Sequence, residues 1–342
     1  MDSPATPRSA GRPPGTREAE LLERVLFQVK RVIVGQDRMV ERLLVAVLAR
    51  GHCLLEGVPG LAKTLAVSTL AEVIGGSFVR VQFTPDLLPS DLVGTRVYRP
   101  SRESFDVELG PVFANVVLAD EVNRAPAKVQ SALLEVMAER QVSLGGRTHR
   151  LPEPFLVLAT QNPMESEGVY PLPEAQRDRF LLKVLVQPPT PSEEMEIVRR
   201  MGVRPPRPEP VLGAADVLRL QAAADEVFTS HAVVEYAVRL VTTTRDPVAH
   251  GVPEIAPAVT HGASPRASLG LVAAGRALAL LRGRDYLLPV DVADLAHDVL
   301  RHRLVLSYDA VADGITAEQV VARLLERVPV PQVSPSQAAG AP

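Results

Sequence analysis

Eight consecutive residues between two apolar segments have the composition of a phosphate-binding loop. An apolar run at 53–55 precedes them and a helix-like pattern at 65–74 follows. In such a strand–loop–helix unit, backbone N–H groups converge on phosphates and the helix directs its positive end at them. We therefore expect Lys63 to reach the β- and γ-phosphates of a nucleotide, and the Thr64 hydroxyl to bind Mg²⁺. The full loop comprises Gly57, Val58, Pro59, Gly60, Leu61, Ala62, Lys63 and Thr64.

The loop departs from the usual pattern at one position, where Ala62 stands in place of the glycine that commonly precedes the lysine. Alanine has the smallest side chain with a Cβ atom, so we expect the helix to begin there with little strain. A glycine-rich turn with a surface lysine is the alternative interpretation. The flanking strand and helix patterns and the Lys63–Thr64 pair favour the phosphate site.

Two adjacent carboxylates, Asp120 and Glu121, follow a second apolar run at 116–119. The carboxyl edge of a parallel sheet is where ligands of α/β folds bind, so we expect both acids to lie at the nucleotide. Asp120 would hold the hydration shell of Mg²⁺, and Glu121 would orient and deprotonate the attacking water. Acids that complement the dipole of a following helix are the alternative. The occurrence of the pair at the end of an apolar strand favours catalysis.

A third apolar run, at 155–159, also ends in polar side chains. Asn162 follows it and would lie beside the γ-phosphate, where its amide can hydrogen-bond the attacking water or a phosphate oxygen. An ordinary Asn–Pro turn is the alternative, because Pro163 comes next. The position of Asn162 after a core strand favours the functional interpretation.

Composition limits the classes of protein that this chain can belong to. It has 342 residues, of which 46% are apolar, enough for one large core and a smaller one. The formal net charge of −3 provides no basic field for nucleic acid, and no apolar run reaches membrane-spanning length. The single cysteine, Cys53, excludes an intrachain disulfide framework and fits a reducing compartment. We therefore expect a cytoplasmic protein with no membrane insertion, no nucleic-acid partner and a buried, unreactive Cys53.

Continuous apolar strands alternate with helical patterns in the first half of the chain, which indicates a parallel sheet covered by helices on both faces. A proline-rich connector at 187–191 marks a domain boundary. The chain beyond it reads as helical, except for a loop at 245–265 that is rich in proline and glycine. The predicted divisions are a disordered tail at 1–16, a nucleotide-binding core at 17–187, a smaller helical domain at 188–330 and a disordered tail at 331–342.

Together these motifs resemble the AAA+ ATPases, and several further segments are similar to the MoxR family in particular. The resemblance spans residues 18–328, which leaves out both tails. It implies an α/β P-loop NTPase core, with a parallel sheet and helices on both faces, followed by a smaller all-helical lid domain. It also implies ATP and Mg²⁺ as cofactors and a homo-oligomeric ring of six subunits. The segments that carry it are 82–91, 110–115, 119–126, 159–163, 170–176 and 262–266.

The resemblance assigns roles to residues that the spacing alone does not single out. Arg179 matches the arginine finger, which would reach the nucleotide of the neighbouring subunit and neutralise charge developing on its γ-phosphate. Arg266 matches the sensor-2 arginine, which would report the state of the phosphates to the lid. Val34 and Gly35 match the segment that lies against the adenine. Arg177 departs from the family pattern, which more often has an aliphatic residue, and leaves open whether Arg177 or Arg179 is the finger.

Two inserted segments also match family features. Residues 84–112 resemble an insert in the second core helix. Residues 140–154 contain Gly145 and Gly146 between two alternating runs, which predicts a β-hairpin independently of any family. In related rings such hairpins project towards the central pore, where a client would be contacted. A plain surface hairpin is the alternative.

The sequence thus predicts a ring-forming, Mg²⁺-dependent ATPase with a chaperone-like task, the remodelling or maturation of protein complexes. The resemblance implies a protein client and a partner that carries a von Willebrand factor A domain. A nucleic-acid motor is one alternative, which the acidic charge balance disfavours. A scaffold that uses ATP only for assembly is another, and the intact Asp120–Glu121 pair argues against it.

Overall fold

A five-stranded sheet forms the centre of the fold. The computed structural model describes residues 16–101, 103–163, 168–202 and 205–332. The tails predicted at 1–16 and 331–342 lie outside these ranges, except that Thr16 begins the first helix and residues 331 and 332 follow the last one without regular structure.

The helices are α1 (Thr16–Val32), α2 (Asp37–Leu48), α3 (Lys63–Val73), α4 (Pro89–Val93), α5 (Ala127–Glu139), α6 (Glu174–Arg177), α7 (Pro191–Met201), α8 (Ala214–Asp225), α9 (His231–Arg245), α10 (Pro265–Leu281), α11 (Pro289–Leu300), α12 (Tyr308–Ala312) and α13 (Ala317–Arg327). The strands are β1 (Cys53–Glu56), β2 (Phe78–Gln82), β3 (Gly94–Arg99), β4 (Ser104–Leu109), β5 (Val116–Asp120), β6 (Gln141–Leu144), β7 (Arg147–Arg150), β8 (Leu156–Gln161), β9 (Leu182–Leu185), β10 (Val259–His261) and β11 (Val305–Leu306). Two 3₁₀ helices span Val122–Arg124 and Pro253–Ala258.

The central sheet has the strand order β2–β5–β8–β1–β9, and every pairing in it is parallel. The predicted parallel sheet is confirmed. Because the strands run in one direction, their carboxyl ends meet at one edge. The phosphate loop follows β1 at that edge, and β5 and β8 end there in polar residues. The sheet therefore brings the predicted site residues of three separate segments together at its carboxyl edge.

The strand β9 at the edge of the sheet was not predicted. It has only four residues, and Lys183 interrupts its apolar pattern. The structure accommodates this charge because Lys183 forms an ion pair with Glu56 of the neighbouring β1, at 2.9 Å. An edge strand with a paired charge gives a weak apolar signal, so sequence periodicity misses it.

Helices cover both faces of the sheet because alternate strand residues point to opposite sides. Val117 and Val157 pack in one apolar cluster with α5, whereas their neighbours Leu118 and Leu158 belong to a larger cluster. The larger cluster contains residues of α1, α2 and α3 and continues into α8 to α11. The first two helices therefore join the sheet to the C-terminal helices through one apolar core. Cys53 is fully buried, as predicted, and burial raises the pKa of its thiol.

A buried ionic cluster reinforces this junction. Arg42 of α2 is 1% exposed and donates to Asp298 and Asp294 of α11, each at 2.8 Å. Arg301 pairs with the other oxygen of Asp298 and also donates to the carbonyl of Lys183 in β9. Since a buried charge without a partner is very costly, these pairs hold α11 against the core in one arrangement.

Two segments contain more regular structure than predicted. The insert at 84–112 folds as α4 and an antiparallel hairpin of β3 and β4. The segment at 245–265, predicted to be a loop, contains a 3₁₀ helix and β10, which pairs with β11. Its strand is three residues long and its partner two, too short for a sequence pattern. The hairpin predicted at 140–154 is confirmed as β6 and β7. Within the described residues, no helix is both long and apolar enough to cross a membrane.

Acidification is expected to destabilise the fold through His52. This side chain is buried, its Nε2 lies 3.2 Å from the Met137 carbonyl, and its Nδ1 accepts from the Val157 amide. Burial lowers its pKa to about 4. Between that value and the ordinary value near 6.5, the unfolded chain binds more protons than the folded chain. The free energy of unfolding should therefore decrease by about 1.4 kcal/mol for each pH unit lost in this window.

Urea unfolding at pH 7, 5.5 and 4.5 measures this dependence. His52→Gln should make the dependence shallower and leave the contribution of the buried His302, whose pKa burial also lowers, while the exposed His250→Gln should keep the slope of the parent protein. An unchanged slope in His52→Gln would show that the buried imidazole does not contribute to it.

Candidate nucleotide-binding site

The phosphate loop contains two residues with left-handed backbone conformations. Gly60 has φ +85° and Ala62 has φ +56°, and α3 begins only at Lys63. The expectation that the helix begins at Ala62 with little strain is therefore wrong. A Cβ atom makes the left-handed conformation less favourable by roughly 1–2 kcal/mol, which explains the usual preference for glycine before the lysine.

The loop and the ends of β5 and β8 surround a cavity of about 420 Å³. Five residues predicted from three separate segments line it together: Lys63, Thr64, Asp120, Glu121 and Asn162. Loop residues 59–62 line it as well. Asn162 is buried, with 6% of its surface exposed, so the amide is part of the wall and not of a surface turn. The structure thus assembles the predicted site at one end of the sheet.

Asp120 is anchored by hydroxyl groups from two other segments. Thr160 of β8 donates to Oδ1 at 2.5 Å, and Thr64 donates to Oδ2 at 3.4 Å. Thr160 also accepts a hydrogen bond from the backbone N–H of Glu121 at 2.9 Å. One hydroxyl therefore positions both acids, and Thr160 was missed by the sequence analysis. The signal was present, since Thr160 lies near the end of β8, the strand that leads into Asn162.

Lys63 points back over the loop. Its ammonium group donates a hydrogen bond to the carbonyl of Gly57, the first residue of the loop. Partial burial lowers the pKa of Lys63, while the carboxylates of Asp120, Glu121 and Glu56 favour the charged form. An ammonium group that is incompletely hydrated, and held near the cavity, is available to an anionic ligand at little desolvation cost.

Glu121 leaves the strand in a different direction from Asp120. Its backbone is left-handed, with φ +57° and ψ +50°, at the start of the 3₁₀ turn Val122–Arg124. The carboxylate accepts a hydrogen bond from the Gln82 amide at 2.8 Å and forms an ion pair with Arg124 at 3.2 Å. The two neighbouring acids thus have separate partners.

Arg80 and Gln82 of β2 are also parts of the site that the sequence analysis missed. Arg80 lines the cavity and donates to Asp120 through Nε and Nη2, at 2.9 and 2.7 Å. Both residues are exposed on the edge strand β2, and the strand register pairs Gln82 with Asp120. The sequence signal for these roles was the pair of polar residues, Arg80 and Gln82, at alternate positions of a short strand pattern. Exposed polar residues of an edge strand are common, and so the signal alone is weak.

Arg179 and Arg266 lie at the opposite edge of the sheet. Arg179 precedes β9, so it is at the amino end of the parallel strands, and it donates to the carbonyl of Leu134 in α5. Arg266 is the second residue of α10 and forms an ion pair with Asp178 at 3.5 Å. Both arginines are exposed and line a second cavity of about 350 Å³, together with Asp178 and Arg303. Neither lines the cavity at the phosphate loop.

The remaining predicted residues lie elsewhere. Arg177 is half-buried, and its Nε has no hydrogen-bond partner among the described residues. Val34 and Gly35 are half-buried between α1 and α2. Gly35 has φ +63°, and a Cβ atom there would come within 2.6 Å of the Glu193 carboxylate carbon. This position therefore needs glycine, while its predicted contact with adenine stays a prediction.

Comparisons with known proteins agree with this geometry. Residues 52–182 match the model of the ATPase family associated with various cellular activities (AAA), and residues 254–324 match that of the AAA lid domain. The chain is 62% identical to "Chaperone MoxR1" of Mycobacterium tuberculosis, over 94% of this chain and 87% of that one. It is 34% identical to "Protein MoxR" of Methylorubrum extorquens, over 89% of this chain and 93% of that one. The chain belongs to the MoxR family of AAA+ ATPases.

A solved structure supports the same conclusion for the fold of this MoxR-family chain. A crystal structure of a protein from Cytophaga hutchinsonii matches it with a TM-score of 0.88 and 45% identity, over 93% of this chain and 97% of that one. The predicted family and the predicted fold class, a AAA+ core followed by a helical lid, are confirmed. The residues matched by the lid model begin in the 3₁₀ helix before β10 and end in α13.

Loss of the Thr160 hydroxyl should damage this MoxR-family site although Thr160 carries no charge. Thr160→Val removes the donor to Asp120 and the acceptor for the Glu121 N–H. Leaving these groups without a partner is expected to lower the free energy of unfolding by about 1–3 kcal/mol and to weaken nucleotide binding. Chemical unfolding and binding of a fluorescent adenine nucleotide measure the two effects.

Thr160→Ser is the matched control, because it keeps the hydroxyl and removes only a methyl group. It should stay close to the parent protein in both measurements. If the serine and valine variants behave alike, the hydroxyl does not position the acids.

Proposed function

We propose that this chain is a subunit of a ring-forming, Mg²⁺-dependent ATPase that drives chaperone-like remodelling of protein complexes in the cytoplasm. The observation that carries the proposal is the convergence of Lys63, Thr64, Asp120 and Glu121 on one cavity at the carboxyl edge of the sheet. A lysine and a hydroxyl on a glycine-containing loop, together with two acids at the end of another strand, form the set that phosphoryl transfer from ATP requires.

The residues present fit Mg²⁺. The Thr64 hydroxyl and the Asp120 carboxylate lie 3.4 Å apart and offer the hard oxygen donors that this ion prefers. Thr64 would bind it directly and Asp120 through its water shell. Bound Mg²⁺ supplies charge neutralisation to the phosphates during transfer.

Phosphate binding, activation of water and positioning of the acids are assigned to residues of the chain itself. Loop N–H groups and Lys63 hold the phosphates. Glu121 orients the attacking water and accepts its proton, and Asn162 in the cavity wall hydrogen-bonds that water or a phosphate oxygen. Thr160 fixes the relative positions of the two acids.

The arginines at the amino edge of the sheet, Arg179 and Arg266, are proposed to act on the nucleotide of a neighbouring subunit. Three residue steps along β1 separate the two edges of the sheet by roughly 10 Å, and Arg179 lies beyond the far edge. A ring in which each subunit presents its amino edge to the next subunit's phosphate loop would bring Arg179 to the γ-phosphate. Arg179 is the better candidate for this role because it is exposed, whereas Arg177 is half-buried. Arg266 shares the cavity of Arg179, so we propose that the lid contributes it to the same neighbouring site.

The chaperone-like task rests on similarity and on surface chemistry. The relative from Mycobacterium tuberculosis, 62% identical, has the name "Chaperone MoxR1". The β3–β4 hairpin carries three exposed apolar side chains, Tyr98, Phe105 and Leu109, which a protein client would cover. We propose that this hairpin and the β6–β7 hairpin face the pore of a six-membered ring. A partner with a von Willebrand factor A domain is proposed from the family resemblance.

Glu121→Gln should bind ATP and lose turnover. The amide keeps the size of the side chain and can still accept from Gln82, but it cannot accept a proton from water. We expect kcat to fall by at least about 100-fold with little change in nucleotide affinity. Phosphate release and fluorescent-nucleotide binding measure the two quantities. Turnover at the parent rate would remove Glu121 from its role.

A mixing experiment tests action across the subunit interface. Arg179→Ala and Lys63→Ala should each be inactive alone, because one lacks the finger and the other lacks the phosphate contact. In mixed rings, an intact site forms wherever the Arg179→Ala subunit supplies the loop and the Lys63→Ala subunit supplies the arginine. ATPase activity should therefore reappear on mixing.

Arg177→Ala is the control for the choice of arginine and should retain activity. No recovery on mixing, with mixed assembly verified by differently tagged subunits, would contradict a role for Arg179 in the neighbouring site. Loss of activity in Arg177→Ala with retention in Arg179→Ala would assign the finger to Arg177.

A further inference from the structure

One helix of the core, α5, extends from one edge of the sheet to the other. It follows the carboxyl end of β5, and the chain beyond it enters the parallel strand β8 at the amino edge, so α5 runs back across the sheet. The residue steps from Lys128 to Glu139 correspond to roughly 16 Å along a helix. Lys128 therefore lies towards the carboxyl edge, where the phosphate loop is, and Glu139 lies towards the amino edge, where Arg179 is.

The outer face of α5 carries three charges without a partner. Lys128, Glu135 and Glu139 are exposed, whereas the inner face of the helix packs in the apolar cluster that contains residues of β5 and β8. Within the part of the chain that the structure describes, none of these three side chains forms an ion pair or a hydrogen bond. The two glutamates line a cavity of about 550 Å³ that Arg179 also lines. Two unpaired carboxylates thus lie beside the proposed arginine finger.

These charges are placed against the electrostatics of α5 itself. A helix is stabilised by acids near its N-terminus and by bases near its C-terminus. Helix α7 follows this rule, with two glutamates in its first turn and two arginines in its last. Helix α5 reverses it, because Lys128 is its second residue and Glu139 its last. Glu135 and Glu139, one turn apart, also repel each other. Residues that conflict with local stability are expected where they serve a function.

A second copy of the chain is the partner that matches this pattern. In a ring, one edge of each subunit meets the opposite edge of the next. If Arg179 reaches the phosphate loop of the neighbour, the cavity that contains Glu135 and Glu139 faces the neighbour's carboxyl edge. The lysine and the arginine at the nucleotide cavity have acceptors within their own chain. Lys128 is unpaired among the described residues, and its charge is opposite to that of the two acids.

We propose that Glu135 and Glu139 of one subunit bind Lys128 of the next, and that this contact fixes the direction in which subunits are joined. The inference rests on the proposed ring-forming ATPase and deepens it by naming the residues that select the partner edge. It accounts for charges that are unfavourable within α5. Two amino edges placed together would bring four carboxylates into contact, and two carboxyl edges would bring two ammonium groups together, so pairing of like edges is disfavoured.

Charge reversal at either edge tests the contact. One variant carries Glu135→Lys and Glu139→Lys, and the other carries Lys128→Glu. Each places like charges across the contact, so the protein concentration at half-assembly should rise by at least about 10-fold. Analytical ultracentrifugation of the full-length chain, in MgCl₂ and a non-hydrolysable ATP analogue, measures this concentration.

Mixing the two variants separates a contact between subunits from a general effect of charge. The basic amino edge of the first variant matches the acidic carboxyl edge of the second, and the acidic amino edge of the second matches Lys128 of the first. An equimolar mixture should therefore assemble at a concentration within about threefold of the parent value, in rings where the two variants alternate. A chain with all three substitutions should assemble alone for the same reason.

The stability of the single subunit distinguishes this contact from a structural role of the same residues. The reversed charges are those that the dipole of α5 favours, so each variant should unfold at the urea concentration of the parent or at a higher one. Urea unfolding at a protein concentration below assembly measures this. A less stable subunit that also fails to recover on mixing would show that the residues only support α5, and would overturn the proposal.

Asp309→Lys with Asp313→Lys, at the lid helix α12, is the matched control. It reverses two exposed acids with the same spacing and should assemble as the parent does. Assembly of both α5 variants at the parent concentration, or failure of their mixture to recover, would overturn the role of α5 and leave the proposed ring intact. If the parent chain does not assemble at all, the ring of the proposed function fails together with this contact.

Discussion

A parallel sheet gives this chain two chemically different edges, and the rest of the structure depends on that difference. At the carboxyl edge, the phosphate loop and the ends of β5 and β8 collect a lysine, two acids and an amide around one cavity. At the amino edge, Arg179 and Arg266 collect around another. Since the strands are rigid spacers, neither set can be moved to the other within one chain. A single subunit therefore carries the two sets of residues at opposite edges of its sheet, which is the physical reason for proposing a ring.

The amino edge is also where the core and the lid are joined by charge. Asp178, next to Arg179, accepts from Arg303 at 2.8 Å and from Ser264 at 2.9 Å, and it pairs with Arg266. Burial lowers the pKa of Arg303 although Asp178 favours its charged form. A buried arginine with a carboxylate and backbone carbonyls as partners has few alternative arrangements. A contact made by Arg179 would therefore be transmitted through Asp178 to Ser264 and Arg266 at the N-terminus of α10.

Sequence reasoning predicted the parts of the molecule in which local chemistry and burial agree. The apolar strands 116–119 and 155–159 had to be buried, and the loop at 57–64 combines glycines with a Lys–Thr pair between a strand and a helix, so both could be recognised from the sequence. β9 was not, because Lys183 is neutralised by Glu56, a partner 127 positions away. The roles of Thr160, Arg80 and Gln82 were missed for the same reason. Each depends on a register between strands that are distant in sequence, and a threonine or arginine on a strand has no distinguishing pattern by itself.

The two acids show most clearly why spacing cannot replace structure. Adjacent carboxylates that shared one environment would repel each other, and one would tend to take up a proton. Here the left-handed backbone of Glu121 turns the second acid away from the strand direction, at a cost that the Thr160 hydroxyl helps to offset by accepting the Glu121 N–H. Asp120 is then surrounded by hydroxyl donors and a guanidinium, and Glu121 by an amide and a second guanidinium. Different environments are what allow two identical functional groups to take different roles in one reaction. The proposed division of labour between metal binding and proton transfer therefore depends on residues of β2 and β8 as much as on the acidic pair.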